Sequence, residues 1–388
     1  MKGHIYRRQR PDGSLSNWYA VIDLPKNADG KRRQRSTTHR SRREAQTWLA
    51  RTIQETSAGE DYDSKITVDQ YLNEWLSGRQ SLRPSTRLSY QGHVSKYLIP
   101  NLGHYKLVDL RAHNIEEMHR QIVIDNQHRA RPVGPATVRR IHATLMSALT
   151  VAVRRGLVRR NPAISVDLAK SAKTRPELWT VEQISTFLDL IRDDRLHALY
   201  ALLTFRGLRR GEAVGLRWQD INFENHELNV VQQVVDVDGE LVIGPPKTES
   251  GSRTIALDQG TTQLLRLHRS KQNLERLQAG PQWSDQGFVF TQPNGDVVNP
   301  AYVTRHFQRL AARHGLPPMR LHDLRHLSAT LGLASRESLK EVSDRLGHSS
   351  IAITADIYAQ VTTETARSSA ERLAQHLEGG GKTETSMG

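Results

Sequence analysis

The stretch Arg345-Leu-Gly-His348-Ser-Ser-Ile-Ala-Ile-Thr-Ala-Asp-Ile-Tyr358 sets a tyrosine ten residues after a histidine. Just upstream lies His322-Asp-Leu-Arg325-His326. More than a hundred residues before that lies Gly207-Leu-Arg209-Arg-Gly-Glu212. Together these clusters hold arginines, histidines and one tyrosine, in a chain without cysteine. The set suits one kind of chemistry, in which cations grip a phosphodiester while a phenol oxygen attacks it.

Cutting DNA without a metal makes definite demands. The transition state spreads extra negative charge over the free phosphate oxygens, and fixed cations must neutralise it. Arginine serves best, because its planar fork grips two oxygens at once. A tyrosine can be the nucleophile if nearby cations or a base offset its pKa of roughly 10. The leaving alkoxide needs a proton from a general acid. Histidines beside the phosphate can donate hydrogen bonds or relay protons.

The order of the clusters resembles the catalytic domain of the tyrosine recombinases, the phage integrase family. Gly207 to Glu212, followed by Leu216-Arg-Trp218-Gln-Asp220, is similar to the family's first-arginine box. Pro246-Lys247-Thr248, followed by Ser252-Arg253-Thr-Ile-Ala-Leu257, is similar to the hairpin that carries its lysine. Leu321-His322-Asp323-Leu-Arg325-His326 resembles the His-x-x-Arg box, and Leu346-Gly347-His348-Ser349 through Tyr358 resembles the last box. The four boxes span about 150 residues. The resemblance implies Arg209 and Arg325 as phosphate-binding arginines and Lys247 as general acid for the leaving 5′-hydroxyl. It makes His322 an aid to tyrosine and phosphate, His348 a donor to the phosphate, and Tyr358 the nucleophile. Arg210, Glu212 and Asp323 read as structural supports, and Trp218 as core. One departure is Arg206, which precedes Gly207 where a small residue is common.

Around these boxes the chain has 388 residues, net charge +14 and a sequence pI near 10.1. The charge is unevenly placed. Residues 1–60 carry 13 Lys and Arg against 6 Asp and Glu, and residues 61–175 carry 19 against 9. Residues 176–388 carry 23 against 26. The first two segments therefore read as polyanion-binding surfaces. The absence of cysteine excludes disulfides and thiolate zinc sites. No apolar run approaches about 18 residues, and the N-terminus lacks a signal-peptide core, so no membrane partner and a cytoplasmic protein are expected; the resemblance adds a bacterial, nucleoid-associated location.

The fold expected is α+β and multidomain. Residues 1–60 read as a small three-stranded β-sheet plus helix, an arm-type DNA-binding module. Ile5-Tyr-Arg-Arg and Trp18-Tyr-Ala-Val-Ile-Asp flank the turn Pro11-Asp-Gly-Ser, a basic strand starts at Lys31, and Ser41-Arg-Arg-Glu44 opens a helix as a capping box. Residues 58–64 read as a linker. Residues 65–165 read as a helical-bundle, SAM-like core-binding domain, with Val68, Tyr71, Leu72 and Trp75 on one stripe. Its second helix, Ser85 to Leu98, is closed by Pro100-Asn-Leu-Gly103. Lys170 to Pro176 reads as the next linker. Residues 175–378 form the mixed, mainly α catalytic domain with a small β-sheet. There Glu227 to Val235 and Glu240 to Ile243 pair around Asp238-Gly239, and another strand runs from Pro245 to Leu257. Residues 364–378 read as an amphipathic helix that packs on a neighbouring protomer, and 379–388 as a disordered tail.

The resemblance implies a site-specific recombinase that forms a 3′-phosphotyrosyl bond and exchanges strands through a Holliday junction. Double-stranded DNA attachment sites and a homotetramer are the expected partners, with an excisionase and a host DNA-bending protein beside them. No cofactor and no metal are expected. His322 and His326, four apart, could share a metal, but no third ligand is evident. A DNA-binding regulator without catalysis explains the charge but not the ordered boxes. A type IB topoisomerase shares the chemistry, and the separate N-terminal basic module argues against it.

Overall fold

The computed structural model describes residues 3–24, 33–57, 65–130, 132–169 and 177–358. The chain divides into two compact units, Met1–Lys173 and Thr174–Gly388. The sequence readings at 58–64, 170–176 and 359–388 lie outside the described residues.

In the first unit, β1 (Gly3–Tyr6), β2 (Trp18–Leu24) and β3 (Arg33–His39) form an antiparallel sheet in that order. Successive side chains alternate between its faces. Ala20 and Ile22 are fully buried toward α1 (Arg42–Ser57), together with Ala45. On the other face Tyr6 stacks on Tyr19, its register partner, at 5.5 Å between centroids, and Arg8 covers Tyr19 at 5.1 Å. Trp18 is flanked by the guanidiniums of Arg7 and Arg42.

The helical segment follows. Thr67 and Gln70 cap α2 (Val68–Ser77) reciprocally, and Val68, Tyr71, Leu72 and Trp75 form its buried stripe. The next helix does not close at Pro100. α3 (Pro84–His93) passes through a π-helical turn at Val94–Leu98 into α4 (Ile99–Leu102). The widened turn accommodates the N–H that Pro100 lacks, so the chain stays helical. α5 (Ala112–Asn126) and α6 (Pro135–Arg154) complete the bundle, whose core includes Leu98, Ile115, Ile141 and Leu145.

The second unit is built on α7 (Val181–Leu190) and α8 (His197–Phe205). Residues 198–204 of α8 are all buried, as an apolar central helix requires. After α9 (Arg210–Val214) come β4 (Ile221–Asn222), β5 (Glu227–Val230), β6 (Gln233–Val237), β7 (Glu240–Gly244) and β8 (Arg253–Ala256). The order β4-β5-β8 makes one antiparallel sheet, and β6-β7 make a separate hairpin. The expected strand Glu227 to Val235 is thus broken at Val231-Gln232. There the Gln232 side chain donates to the Gly215 carbonyl at 2.8 Å, and the two halves join different partners. The expected strand from Pro245 is real only from Arg253, because Glu249–Gly251 form a 3-10 turn. The helices α10 (Gln259–Ala279), α11 (Pro300–Arg313), α12 (Asp323–Ala334), α13 (Leu339–Leu346) and α14 (Ile351–Tyr358) follow. Phe187, Tyr200, Phe307 and Trp179 interlock at the centre of this core.

Candidate active site

The site grows from the end of α13. Gly347 caps this helix in the left-handed conformation, with φ 65°. Its N–H and that of His348 return to the Asp344 and Ser343 carbonyls, each at 3.0 Å. Three successive carbonyls beyond them would otherwise be left over. Each accepts from a different arginine. Arg253 Nε donates to the Arg345 carbonyl at 2.6 Å, Arg325 Nη2 to that of Leu346, and Arg209 Nη2 to that of Gly347 at 2.9 Å. The negative end of a helix therefore gathers guanidiniums from α12, β8 and the start of α9.

Glu212 holds the other side of the cluster. Its carboxylate is 2% exposed and accepts from the Arg209 backbone N–H, Arg209 Nη1 at 2.6 Å and Arg253 Nη2 at 3.0 Å. Burial pushes its carboxyl upward, but Arg253 and Arg209 hold it below the ordinary value. Arg345 turns its own side chain to Glu337 and Ser328. Four guanidiniums thus meet two carboxylates, which leaves the cluster cationic. Burial, with Arg209 beside it, lowers Arg325 to about 9, still cationic at neutral pH.

Backbone shape makes this convergence possible. Gly207 sits at φ +64°, and a Cβ there would come within 2.3 Å of Leu346 Cδ2 and 2.9 Å of Ser328 Oγ. Only glycine fits. Its carbonyl accepts Arg325 Nη1 at 2.6 Å, and two residues later the chain delivers Arg209. The unusual Arg206 is paired with Asp258.

The histidines border the same cluster. His348 Nδ1 lies 2.9 Å from the hydroxyl of Thr354, which is fully buried. Burial, then Arg325 and Arg209, bring His348 down to about 4, so its ring is neutral at pH 7. His322 immediately precedes α12 without a side-chain capping bond, and it is also lowered by burial, then by His326 and Arg325. Its ring meets that of His326 edge-on at 5.5 Å. Among the described residues no group of three or more metal-ligating side chains occurs.

Arg209, His322, Arg325 and His348 are therefore brought together. Lys247 stands apart from the hairpin turn, which is made by Asp238 and Gly239. It is exposed in the connection between β7 and the 249–251 turn. Tyr358 closes α14, and its side chain lies outside the described residues. Arg210 donates to Thr304, Asp323 is buried against Arg320, and Trp218 is half-buried with its Nε1–H on Gln272. Sequence reading assigns no role to Arg253, Arg345 or Thr354. Arg253 falls inside a quoted motif, but nothing in the motif says which way it points.

Chemically, such a cluster can hold a phosphodiester. Arg209 and Arg325 each give two of five N–H groups to protein acceptors among the described residues, which leaves donors for an anion.

Comparison with known proteins points the same way. Residues 178–365 match the phage integrase family, and residues 67–121 match the phage integrase N-terminal SAM-like domain. The tyrosine recombinase XerC-like protein of Caldanaerobacter subterraneus is 28% identical over 330 residues, covering 79% of this chain and 83% of that protein. The Tn1549 transposon integrase, solved with a circular intermediate DNA, superposes with a TM-score of 0.68 at 22% identity, covering 80% of this chain and all of that one. A lambda integrase from a tetramer bound to a Holliday junction gives 0.56 at 19% identity, covering 91% and 94%. No helix among the described residues is long and apolar enough to cross a membrane.

Proposed function

Because this chain belongs to the phage integrase family of tyrosine recombinases, we propose that it integrates a mobile element by cutting and rejoining DNA at specific sites. In this reading Tyr358 Oη attacks the scissile phosphorus, the bond to the 5′ oxygen breaks, and a 3′-phosphotyrosyl linkage forms. Arg209 and Arg325 bind the non-bridging oxygens. His348 donates a hydrogen bond to them, and His322 assists both tyrosine and phosphate. Lys247 protonates the leaving 5′ oxygen. A 5′-hydroxyl from the partner strand then attacks in reverse and frees the tyrosine. The protein linkage conserves the bond energy, so neither ATP nor a metal enters the balance.

The observation that carries this reading is the convergence of Arg209, Arg325 and His348 on the end of one helix, with Tyr358 on the next. In low dielectric such fixed donors act where charge develops, without reorganising first. Lys247 rests on its motif. The basic residues of 1–175 supply phosphate contacts that position the chain on DNA. Residues 1–60 act as arm-type module, 65–165 as core-binding domain and 175–378 as catalytic domain. Four protomers act on two sites, a reading that the lambda integrase tetramer bound to a Holliday junction supports. An excisionase and a host DNA-bending protein bias the direction.

The test is covalent capture. A nicked duplex carrying the chain's mapped cleavage sequence should trap a protein–DNA adduct with the wild type and none with Tyr358→Phe. An adduct that survives in Tyr358→Phe sinks the assignment of the nucleophile.

A further inference from the structure

We propose that Arg253 is a positioning residue for DNA cleavage, which couples the Arg209 anchor, the His348 loop and the Lys247 loop without itself binding the phosphate. The proposal rests on the recombinase reading of this site. All three of its side-chain nitrogens are engaged. Nη2 donates to Glu212 at 3.0 Å, Nε to the Arg345 carbonyl at 2.6 Å, and Nη1 to the Gly251 carbonyl at 2.8 Å. Each acceptor leads to a different part of the machinery. Glu212 fixes the Arg209 guanidinium. The Arg345 carbonyl lies three residues before His348. Gly251 closes the short turn that follows Lys247.

The contrast with Arg325 is chemical. Arg325 sends only its two Nη atoms to protein, among the described residues. Arg253 has no nitrogen without a protein acceptor, and its side chain is only 7% exposed. It also packs against the left-handed cap, since a Cβ on Gly347 would lie 3.1 Å from its Cδ and Nη1. Strand β8 holds it in register, with Arg253 opposite Val230.

Loss of Arg253 removes one of the two cations hydrogen-bonded to the buried Glu212. The other groups around this carboxylate are Arg209 from the start of α9 and, farther off, Arg325 of α12, with Arg345 of α13 behind Arg253. With Arg253 gone, Glu212 protonates at a higher pH and releases Arg209. At neutral pH, where Glu212 is ionised, the defect is the misplacement of the groups that Arg253 ties together, and toward acid pH the release of Arg209 adds a further loss that grows as pH falls. A defect of folding alone has no such shape.

The test compares wild type, Arg253→Gln, Arg253→Lys and Tyr358→Phe in single-turnover adduct formation on the nicked duplex, from pH 5 to 9. Arg253→Gln should cleave about 100-fold more slowly at neutral pH, the scale set by small misplacements of reacting groups. Its acid limb should move to higher pH, with DNA affinity within a few-fold of wild type. Arg253→Lys should recover part of the rate, since it restores the charge on Glu212 but not all three bonds. An Arg253→Gln rate within two-fold of wild type, or a loss uniform across pH that tracks lost DNA affinity and melting temperature, overturns the proposal. Cleavage by wild type with an unaffected Arg253→Gln refutes the proposal alone. No adduct from wild type refutes the recombinase reading, and the proposal with it.

Discussion

Thr354 holds the ring of His348 from one helical turn before Tyr358. The Thr354 hydroxyl lies 2.9 Å from His348 Nδ1, and residue 358 follows four positions later on α14. If the hydroxyl donates to Nδ1, the proton of the neutral ring sits on Nε2, the tautomer that can donate to a phosphate. One buried side chain thus links the state of His348 to the helix that carries the proposed nucleophile. Thr354→Val keeps the shape and deletes this bond. It should slow adduct formation about 10-fold, the worth of one buried hydrogen bond of roughly 1–1.5 kcal/mol. Thr354→Ser should restore most of the rate. Equal rates for Val and wild type would show that the ring is oriented by something else.

Gly207 is expected to accept no side chain. Gly207→Ala meets both a strained φ of +64° and contacts with Leu346 and Ser328. The expected cost is about 1–3 kcal/mol in denaturant unfolding. Cleavage should fall by more than stability alone explains, because the Gly207 carbonyl orients Arg325. A variant as stable and active as wild type would contradict the geometry at this turn.

Glu212 anchors two arginines, so Glu212→Gln leaves Arg253 buried beside a neutral amide. Breaking such a pair costs about 3–5 kcal/mol. The pH dependence has a definite sign. The folded-state pKa is below the ordinary value of 4.5, so the stabilisation is fully present above 4.5. It is lost as pH falls below 4.5 through the lower folded value. Wild type should therefore lose stability on that acid limb more steeply than Glu212→Gln in urea titrations at successive pH values. Parallel limbs would remove Glu212 from the account.

Much of this was legible in the residues, because motif spacing encodes chemistry while leaving contacts unstated. The stripe Val68, Tyr71, Leu72 and Trp75 is buried as its period demands. Arg209, His322, Arg325 and His348 converge as their order suggests. What escaped was set by tertiary partners. Nothing local says that Gln232 bonds to Gly215 and splits an apparent strand. Nothing local says that a π-helical turn carries the helix through Pro100. Arg253 and Thr354 look like an ordinary basic residue and an ordinary helical threonine until their acceptors arrive from distant segments.

His348 gives a spectroscopic prediction. Burial, then Arg325 and Arg209, hold its pKa near 4, below the ordinary 6.5. In the free protein its imidazole ¹⁵N signals should therefore show a neutral ring down to about pH 5. Because the folded value is the lower one, the ring's contribution to stability is present above 6.5. It is lost progressively as pH falls from 6.5 toward 4, since the unfolded chain takes up the proton first. Binding a phosphodiester should raise the midpoint, because the anion offsets the charge of Arg209 and Arg325. Arg325→Gln should raise it in the free protein for the same reason. A free-protein midpoint at 6.5 or above, or one that falls when DNA binds, would mean that His348 does not face this arginine cluster.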